Sequence, residues 1–237
     1  MSNNYFRFKQ FTIHQEGCAM KVGVDGALLG AWTRAGGCRK ILDVGTGAGL
    51  IALMLAQRNP EATVDALDID ESACEQARAN AEASPFAGRI RVIHVAFADY
   101  AAGVAAYDLI VSNPPYFVRS LPSPDPRRCL ARHAGSLSLE ELISAAGRLL
   151  TATGKLSLIL PAGREEELKS LAACHGLHPS RQTLVAPLAG GAVKRVLSEL
   201  SVAPVPFCEQ DSLCIEEIGG RYSPAFISLL KDYYLYL

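Results

Sequence analysis

An excess of charge of one sign is missing from this chain. Its 23 Lys and Arg stand against 24 Asp and Glu, a formal net charge of −1 over 237 residues. That balance excludes a globally basic nucleic-acid binder, so any anion-binding surface has to be local. Long apolar runs are missing too: no stretch approaches the roughly 18 uncharged apolar residues of a membrane helix. The opening MSNNYFRFKQFTIHQ lacks the apolar core of a secretory signal. Neither secretion nor membrane insertion is expected. The seven cysteines, at 18, 38, 74, 129, 174, 208 and 214, form no CxxC pair and no metal-ligand spacing. Reduced thiols of a cytoplasmic protein are therefore expected, with no disulfide framework and no metal.

What is present reads as one packed domain. Hydrophobic residues make up 49% and charged residues 20% of the chain, ordinary values for a globular protein. From residue 40 onward, strand-like and helix-like segments alternate: KILDV then LIALMLAQR, TVDALDID then ESACEQARANAEA, followed by IRVIHVAF and YDLIVS. That order predicts parallel strands joined by crossover helices, an α/β doubly wound sheet. SPDPRR interrupts regular structure, leaving 118–136 as a long loop on the substrate side. SLEELISAAGRLL has helical spacing and KLSLILP reads as another strand. A helix over 164–175, strands over 181–186 and 194–202, and a turn at Gly190-Gly191 complete the second half. The segment YSPAFISLLKDYYLYL places Phe226, Leu229, Leu230, Tyr233 and Tyr234 at helical spacing, which predicts a docked terminal helix. The single tryptophan, Trp32, is expected in the core.

LDVGTGAG places Gly45, Gly47 and Gly49 between a strand and a helix, where a reversal needs permissive dihedrals and a ligand needs close backbone approach. The spacing is GxGxG, not the GxGxxG that cradles a pyrophosphate, and Asp43, two residues before the first glycine, is expected with the glycines among the cofactor contacts. Asp68 falls at the end of the next strand, followed by Ile69. From there a carboxylate can accept hydrogen bonds from two ribose hydroxyls. Asp70 precedes a helix-forming run and reads as an N-cap. LDVGTGAGLIAL with Asp68 resembles the cofactor half of class I S-adenosylmethionine-dependent methyltransferases. The resemblance implies that Gly45 to Gly49 wrap the methionine end and that Asp68 holds the ribose. It also implies a seven-stranded, mostly parallel sheet with helices on both faces and the last strand antiparallel.

The fourth strand ends in VSNPPYF, in the crevice where open α/β sheets bind ligands. An exocyclic amine conjugated to an aromatic ring is a poor nucleophile because its lone pair is delocalised. Acceptors aimed at its hydrogens favour the rehybridised, attacking form. Asn113 offers a side-chain oxygen and Pro114 a carbonyl. The pair Pro114-Pro115 fixes φ so that the carbonyl is held in place. Tyr116 supplies a face on which a planar group can stack. The motif resembles that of amino-group methyltransferases acting on adenine N6, cytosine N4, guanine N2 or glutamine N5, and does not choose among them.

FRFKQFTIHQEGCAMKVGVDGALLGAW and YSPAFISLLKDYYLYL, taken with LDVGTGAGL and VSNPPYF, resemble the bacterial tRNA (adenine-N6) methyltransferases that modify position 37 of a valine tRNA. Glutamine methyltransferases would carry a separate helical N-terminal domain, whereas only about 39 residues precede the first strand here. The resemblance implies S-adenosylmethionine as methyl donor, S-adenosylhomocysteine as product and tRNA as substrate, without metal, membrane or obligate protein partner. It further implies that residues 1–39 extend over the cofactor as a lid, with Lys21 and Asp25 near the methionine carboxylate and amine. Where the family has an acidic residue for the adenine amine, this chain has Ala96. The backbone of Ala96 and Phe97, the Phe97 ring and Asp99 are the expected adenine contacts. In the loop beyond the motif, Arg119, Arg127, Arg128 and Arg132, with His133, form a local basic cluster suited to phosphate, which Lys194 and Arg195 could extend. Two rival readings stay open: methylation of another nucleobase or of a protein glutamine, and a nucleotide-binding module without chemistry.

Overall fold

In chain order the elements are β1 (Tyr5–Arg7), β2 (Thr12–His14), α1 (Val24–Trp32), β3 (Lys40–Val44), α2 (Leu50–Arg58), β4 (Thr63–Asp68), α3 (Glu71–Glu82), β5 (Ile90–His94), α4 (Phe97–Tyr100), β6 (Tyr107–Ser112), α5 (Leu139–Leu149), β7 (Leu150–Pro161), α6 (Glu165–Cys174), β8 (His178–Leu188), β9 (Arg195–Ser201), β10 (Glu209–Glu216) and α7 (Pro224–Leu230). The computed structural model describes residues 4–16, 18, 21–101, 106–114 and 137–237. Pro115, Tyr116 and the 118–136 loop with Arg119, Arg127, Arg128, Arg132 and His133 lie outside the described residues.

Eight strands form the main sheet in the order β10-β8-β9-β7-β6-β3-β4-β5, and β9 alone runs antiparallel to its neighbours. The doubly wound architecture follows the sequence pattern, and the antiparallel seventh strand is the one the resemblance implies. The eighth strand, β10, does not: EQDSLCIE carries three acidic residues and leaves four of its eight residues exposed at the sheet edge, so apolar periodicity misses it. Phe97 is a second departure. The IRVIHVAF strand stops at His94, and Phe97 opens the short α4.

Helices flank the sheet on both faces. One apolar cluster joins α1, α2 and α7 to the sheet through Leu28, Leu29, Leu53, Met54, Phe226 and Leu230; the other joins α5 and α6 through Leu142, Ile143, Leu149 and Leu168. Local sequence sets the helix starts. Ser138 and Glu141 form a reciprocal capping box at α5. Asp70 accepts from Ser72 N–H at 3.0 Å as the α3 N-cap, and Ser223 caps α7 ahead of Pro224. The terminal helix is shorter than its apolar spacing predicts, because Leu230 ends it and Tyr233 instead sends its hydroxyl to the Met54 carbonyl at 3.1 Å.

Helix α1 is built into the body. Gly26 to Trp32 of α1 are all buried, and Trp32 donates through Nε1 to Thr183 Oγ1 at 2.7 Å while the Arg181 guanidinium stacks 3.6 Å from its ring. Two glycines four residues apart permit this. A Cβ on Gly30 would lie 2.7 Å from Met54 Sδ and 3.1 Å from Met54 Cβ, so α1 and α2 touch at that point. Gly30→Ala is therefore expected to lose about 1–3 kcal/mol of stability in urea unfolding by forcing the two helices apart. Wild-type stability would show that the contact is slack.

Candidate active site

Register brings the sequence-predicted residues to one edge. β3 lies between β4 and β6, with Val44 opposite both Leu67 and Ser112. The chain leaves β3 toward α2 on one side and reaches β6 on the other, so the carboxyl ends of these strands border a topological switch point. Gly45, Asp68 and Asn113 each follow or close one of three adjacent strands, which are spaced by about 4.8 Å. Ser112 Oγ, fully buried, donates to the Val44 carbonyl at 2.8 Å and fixes the end of β6 against the glycine turn.

The turn needs its glycines. Gly45, Gly47 and Gly49 have φ of 75°, 56° and 86°, a region that L side chains seldom occupy. A Cβ on Gly45 or Gly47 would meet nothing within 4 Å, whereas one on Gly49 would touch Ala77 of α3 at 3.4 Å. The first two therefore face open space where a ligand can approach the backbone, and the third lets α2 and α3 pack. Asp68 braces this surface: Oδ2 accepts from Gly47 N–H at 2.8 Å and Oδ1 from Asp70 N–H at 3.0 Å. Burial raises its pKa, opposed by those two N–H groups. Each oxygen has a second lone pair for a diol. Ile69, next in sequence, is 48% exposed beside it.

Asp43, an expected cofactor contact, lies beneath the glycine turn in this structure. It is fully buried, and its Oδ2 accepts from Thr46 Oγ1 at 2.7 Å and Ala52 N–H at 3.1 Å, so it shapes the turn from below. Burial pushes its carboxyl from 3.8 up to about 7. Between those values the unfolded chain ionises while the folded one keeps its proton, so stability falls as pH rises through the window. Asp43→Asn should flatten that slope in thermal melts taken across it; an unchanged slope would place the proton elsewhere.

Phe97 also departs from expectation. Its ring is 9% exposed and packs with Leu42, Val44 and Leu67, so it offers the crevice its backbone and not a ring face. Ala96 is the N-cap of α4, and Asp99 is exposed on that helix.

Described residues between β2 and α1 stand near the crevice. Gln15 Oε1 accepts from Val22 N–H at 2.7 Å, closing the segment, and Lys21 is exposed within it. The Cys18 thiol is pushed up to about 11, chiefly by burial and further by the charges of Asp68 and Asp70. Asp25 opens α1 but pairs with Arg195 of β9, its Oδ2 accepting from Nε at 2.7 Å. Its charge is thus matched by a residue of this chain, and Arg195 serves that pair. Asn113 is partly buried at the end of β6, and a Cβ on Gly26 would lie 4.0 Å from its Nδ2, so α1 walls the motif. Pro114 is buried behind it.

Asn80 is the residue that sequence reasoning missed. It is 1% exposed, accepts from His14 N–H at 2.9 Å, and donates to the carbonyls of His14 and Ala48 at 2.8 Å each. A single Asn within the Ala-rich ARANAEA, where helix propensity disfavours it, was the available signal.

This sheet, with a glycine turn, a carboxylate and an Asn-Pro pair on three successive strand ends, defines a class I methyltransferase. The Methyltransferase small domain model matches residues 27–171, more than half of the chain. A predicted O-methyltransferase from Agrobacterium tumefaciens superposes with a TM-score of 0.67 at 23% identity, covering 88% of this chain and 96% of that one. A ribosomal protein L11 methylase from Lactobacillus delbrueckii gives 0.56 at 19% identity, covering 78% and 82%. At those identities the likeness is one of fold.

The chain belongs to the tRNA1(Val) (adenine(37)-N6)-methyltransferase family. The member from Parabacteroides distasonis is 49% identical over 236 residues, 99% of each chain, and that from Tolumonas auensis 46% identical over 99% and 98%.

Proposed function

We infer that this protein transfers a methyl group from S-adenosylmethionine to the exocyclic N6 of adenine 37 in tRNA1(Val). The observation that carries the reading is the placement of Asn113 and Pro114 at the end of β6, in register with the Gly45 turn, in a chain nearly half identical to relatives bearing that name. Among the described residues no group of side chains suited to a metal is found, and the proposed steps call for none.

S-adenosylmethionine supplies, when bound, an electrophilic methyl on a sulfonium. The residues fit it: the open backbone at Gly45 and Gly47 suits close approach of its methionine end, and Asp68 suits its ribose diol. Lys21 suits the methionine carboxylate by charge, Ile69 offers an apolar face for adenine, and the Ala96–Phe97 backbone and Asp99 remain its proposed polar contacts. Asp25, paired with Arg195, would reach the amine only with its remaining acceptor capacity.

The target base has to leave its neighbours to enter the crevice. Asn113 Oδ1 and the Pro114 carbonyl then accept the two N6 hydrogens, drawing the nitrogen toward a tetrahedral form with its lone pair aimed at the methyl. Pro115 and Tyr116 keep their proposed roles in rigidity and stacking. Orientation and these acceptors lower the barrier without a covalent intermediate. After transfer the C–S bonding pair would stay with the sulfur of S-adenosylhomocysteine, and the surplus proton would pass from N6 to water. The arginines at 119, 127, 128 and 132 are the proposed phosphate contacts beyond the motif.

The test is incubation of the protein with labelled S-adenosylmethionine and two acceptors, total tRNA lacking the modification and a cell-protein fraction. Label is expected in tRNA alone. Label in protein glutamine would sink the assignment.

A further inference from the structure

Aromatic and basic residues alternate in YFRFK at residues 5–9, and nothing in the methyl-transfer chemistry uses them. The three residues of β1 are exposed on a hairpin whose other strand, β2, is pinned by Asn80. Tyr5 is 50% and Phe6 37% exposed, while Phe8, Phe11 and Ile13 anchor the hairpin in the core. The Phe6 ring lies 5.5 Å from that of Tyr234, and Lys9 N–H donates to the Tyr233 carbonyl at 2.8 Å, so hairpin and C-terminal segment form one surface. Arg7, Lys9 and Lys231 are exposed on it, with Lys9 Nζ donating to the Lys231 carbonyl at 2.5 Å. The carboxylates on the same segments are Glu16, which accepts from Asn4 at 3.0 Å, and Asp232.

Hydrogen bonds tie this hairpin to the glycine turn. Tyr5 sits 6.1 Å from His14, whose backbone is tied through Asn80 to Ala48 of the glycine turn. Gln15, next after His14, accepts from Val22 N–H at 2.7 Å, and a Cβ on Gly26 of α1 would lie 4.0 Å from Asn113 Nδ2.

Exposed rings interleaved with cations are the chemistry that holds unpaired nucleotides, since every base has a face to stack and every linkage a negative charge. We propose that the β1–β2 hairpin and the Lys231–Tyr234 segment form a platform for anticodon-loop nucleotides that flank the reacting adenine. Bases stack on Tyr5 and Phe6, and phosphates meet Arg7, Lys9 and Lys231. The proposal rests on tRNA being the substrate.

The experiment measures tRNA affinity over a range of salt concentrations for the wild-type chain, the double variant Tyr5→Ala/Arg7→Gln and the charge variant Arg7→Glu. Melting temperature, cofactor affinity and sedimentation are recorded alongside. Both variants are expected to bind tRNA roughly tenfold more weakly, with a salt slope shallower by about one, and to melt and bind cofactor as wild type does. Should the double variant fail to fold, Arg7→Glu, changed at an exposed side chain only, decides alone. A wild-type chain that methylates tRNA while the folded variants bind it unchanged would overturn the platform. So would a variant-dependent change in oligomeric state, which would assign the face to a second copy of this chain. A wild-type chain that does not bind tRNA would instead overturn the functional reading.

Discussion

Asn113→Ala is expected to lower kcat by about two to three orders of magnitude, the range seen when one pre-organised polar group facing a developing charge is removed. Cofactor affinity should stay near wild type, because the Gly45 turn and the Asp68 carboxylate belong to other strand ends. The split follows from chemistry. In the proposed mechanism the amide oxygen acts on the N6 hydrogens, whose acidity rises only as the nitrogen begins to attack, so its interaction is made mainly in the transition state. Asn113→Asp keeps acceptor oxygens at the same place and should retain more activity than Ala. Single-turnover rates beside equilibrium cofactor binding check both statements. Unchanged kcat in the Ala variant would remove Asn113 from the chemistry.

Asp68→Ala is expected to do the reverse. Two hydrogen bonds from a diol to a carboxylate, each worth about 1.5–3 kcal/mol, correspond to a loss of about a hundredfold or more in cofactor affinity. The same change also strips Gly47 N–H and Asp70 N–H of their acceptor, so the turn that faces the ligand loses its brace. At saturating cofactor kcat should stay within about tenfold of wild type, since the carboxylate does not touch the acceptor amine. Isothermal titration gives the affinity directly. A variant with normal cofactor Kd and lost kcat would assign Asp68 to the reaction instead.

The parts of this site that periodicity and local chemistry control were legible. Apolar strands alternating with Ala- and Leu-rich helices fix the doubly wound sheet, and once the strands are in order the switch point follows, with Gly45, Asp68 and Asn113 around it. Three things were not legible because the packed structure, by contacts near and far in sequence, decides them. Asp43 looks like a ligand from its spacing, but only the structure shows Thr46 and Ala52 using its one oxygen from beneath the turn. Phe97 looks like a stacking ring at a strand end, but α4 turns it into the core. Asp25 looks like a charge awaiting an amine, and its partner Arg195 stands 170 residues away. The edge strand β10 escaped for a different reason: an edge pairs through backbone groups and leaves its side chains wet, so polar residues there carry no alternation.

The central claim is that the amine received at Asn113 is N6 of adenine 37. Its most direct test is mass spectrometry of the anticodon-loop fragment of tRNA1(Val), isolated from cells lacking this protein and then treated with wild type or Asn113→Ala. One added methyl at position 37, eluting as N6-methyladenosine after digestion and absent with the Ala variant, is the result expected. A methyl at another position, on another atom of the base, or at equal yield with both proteins would contradict it.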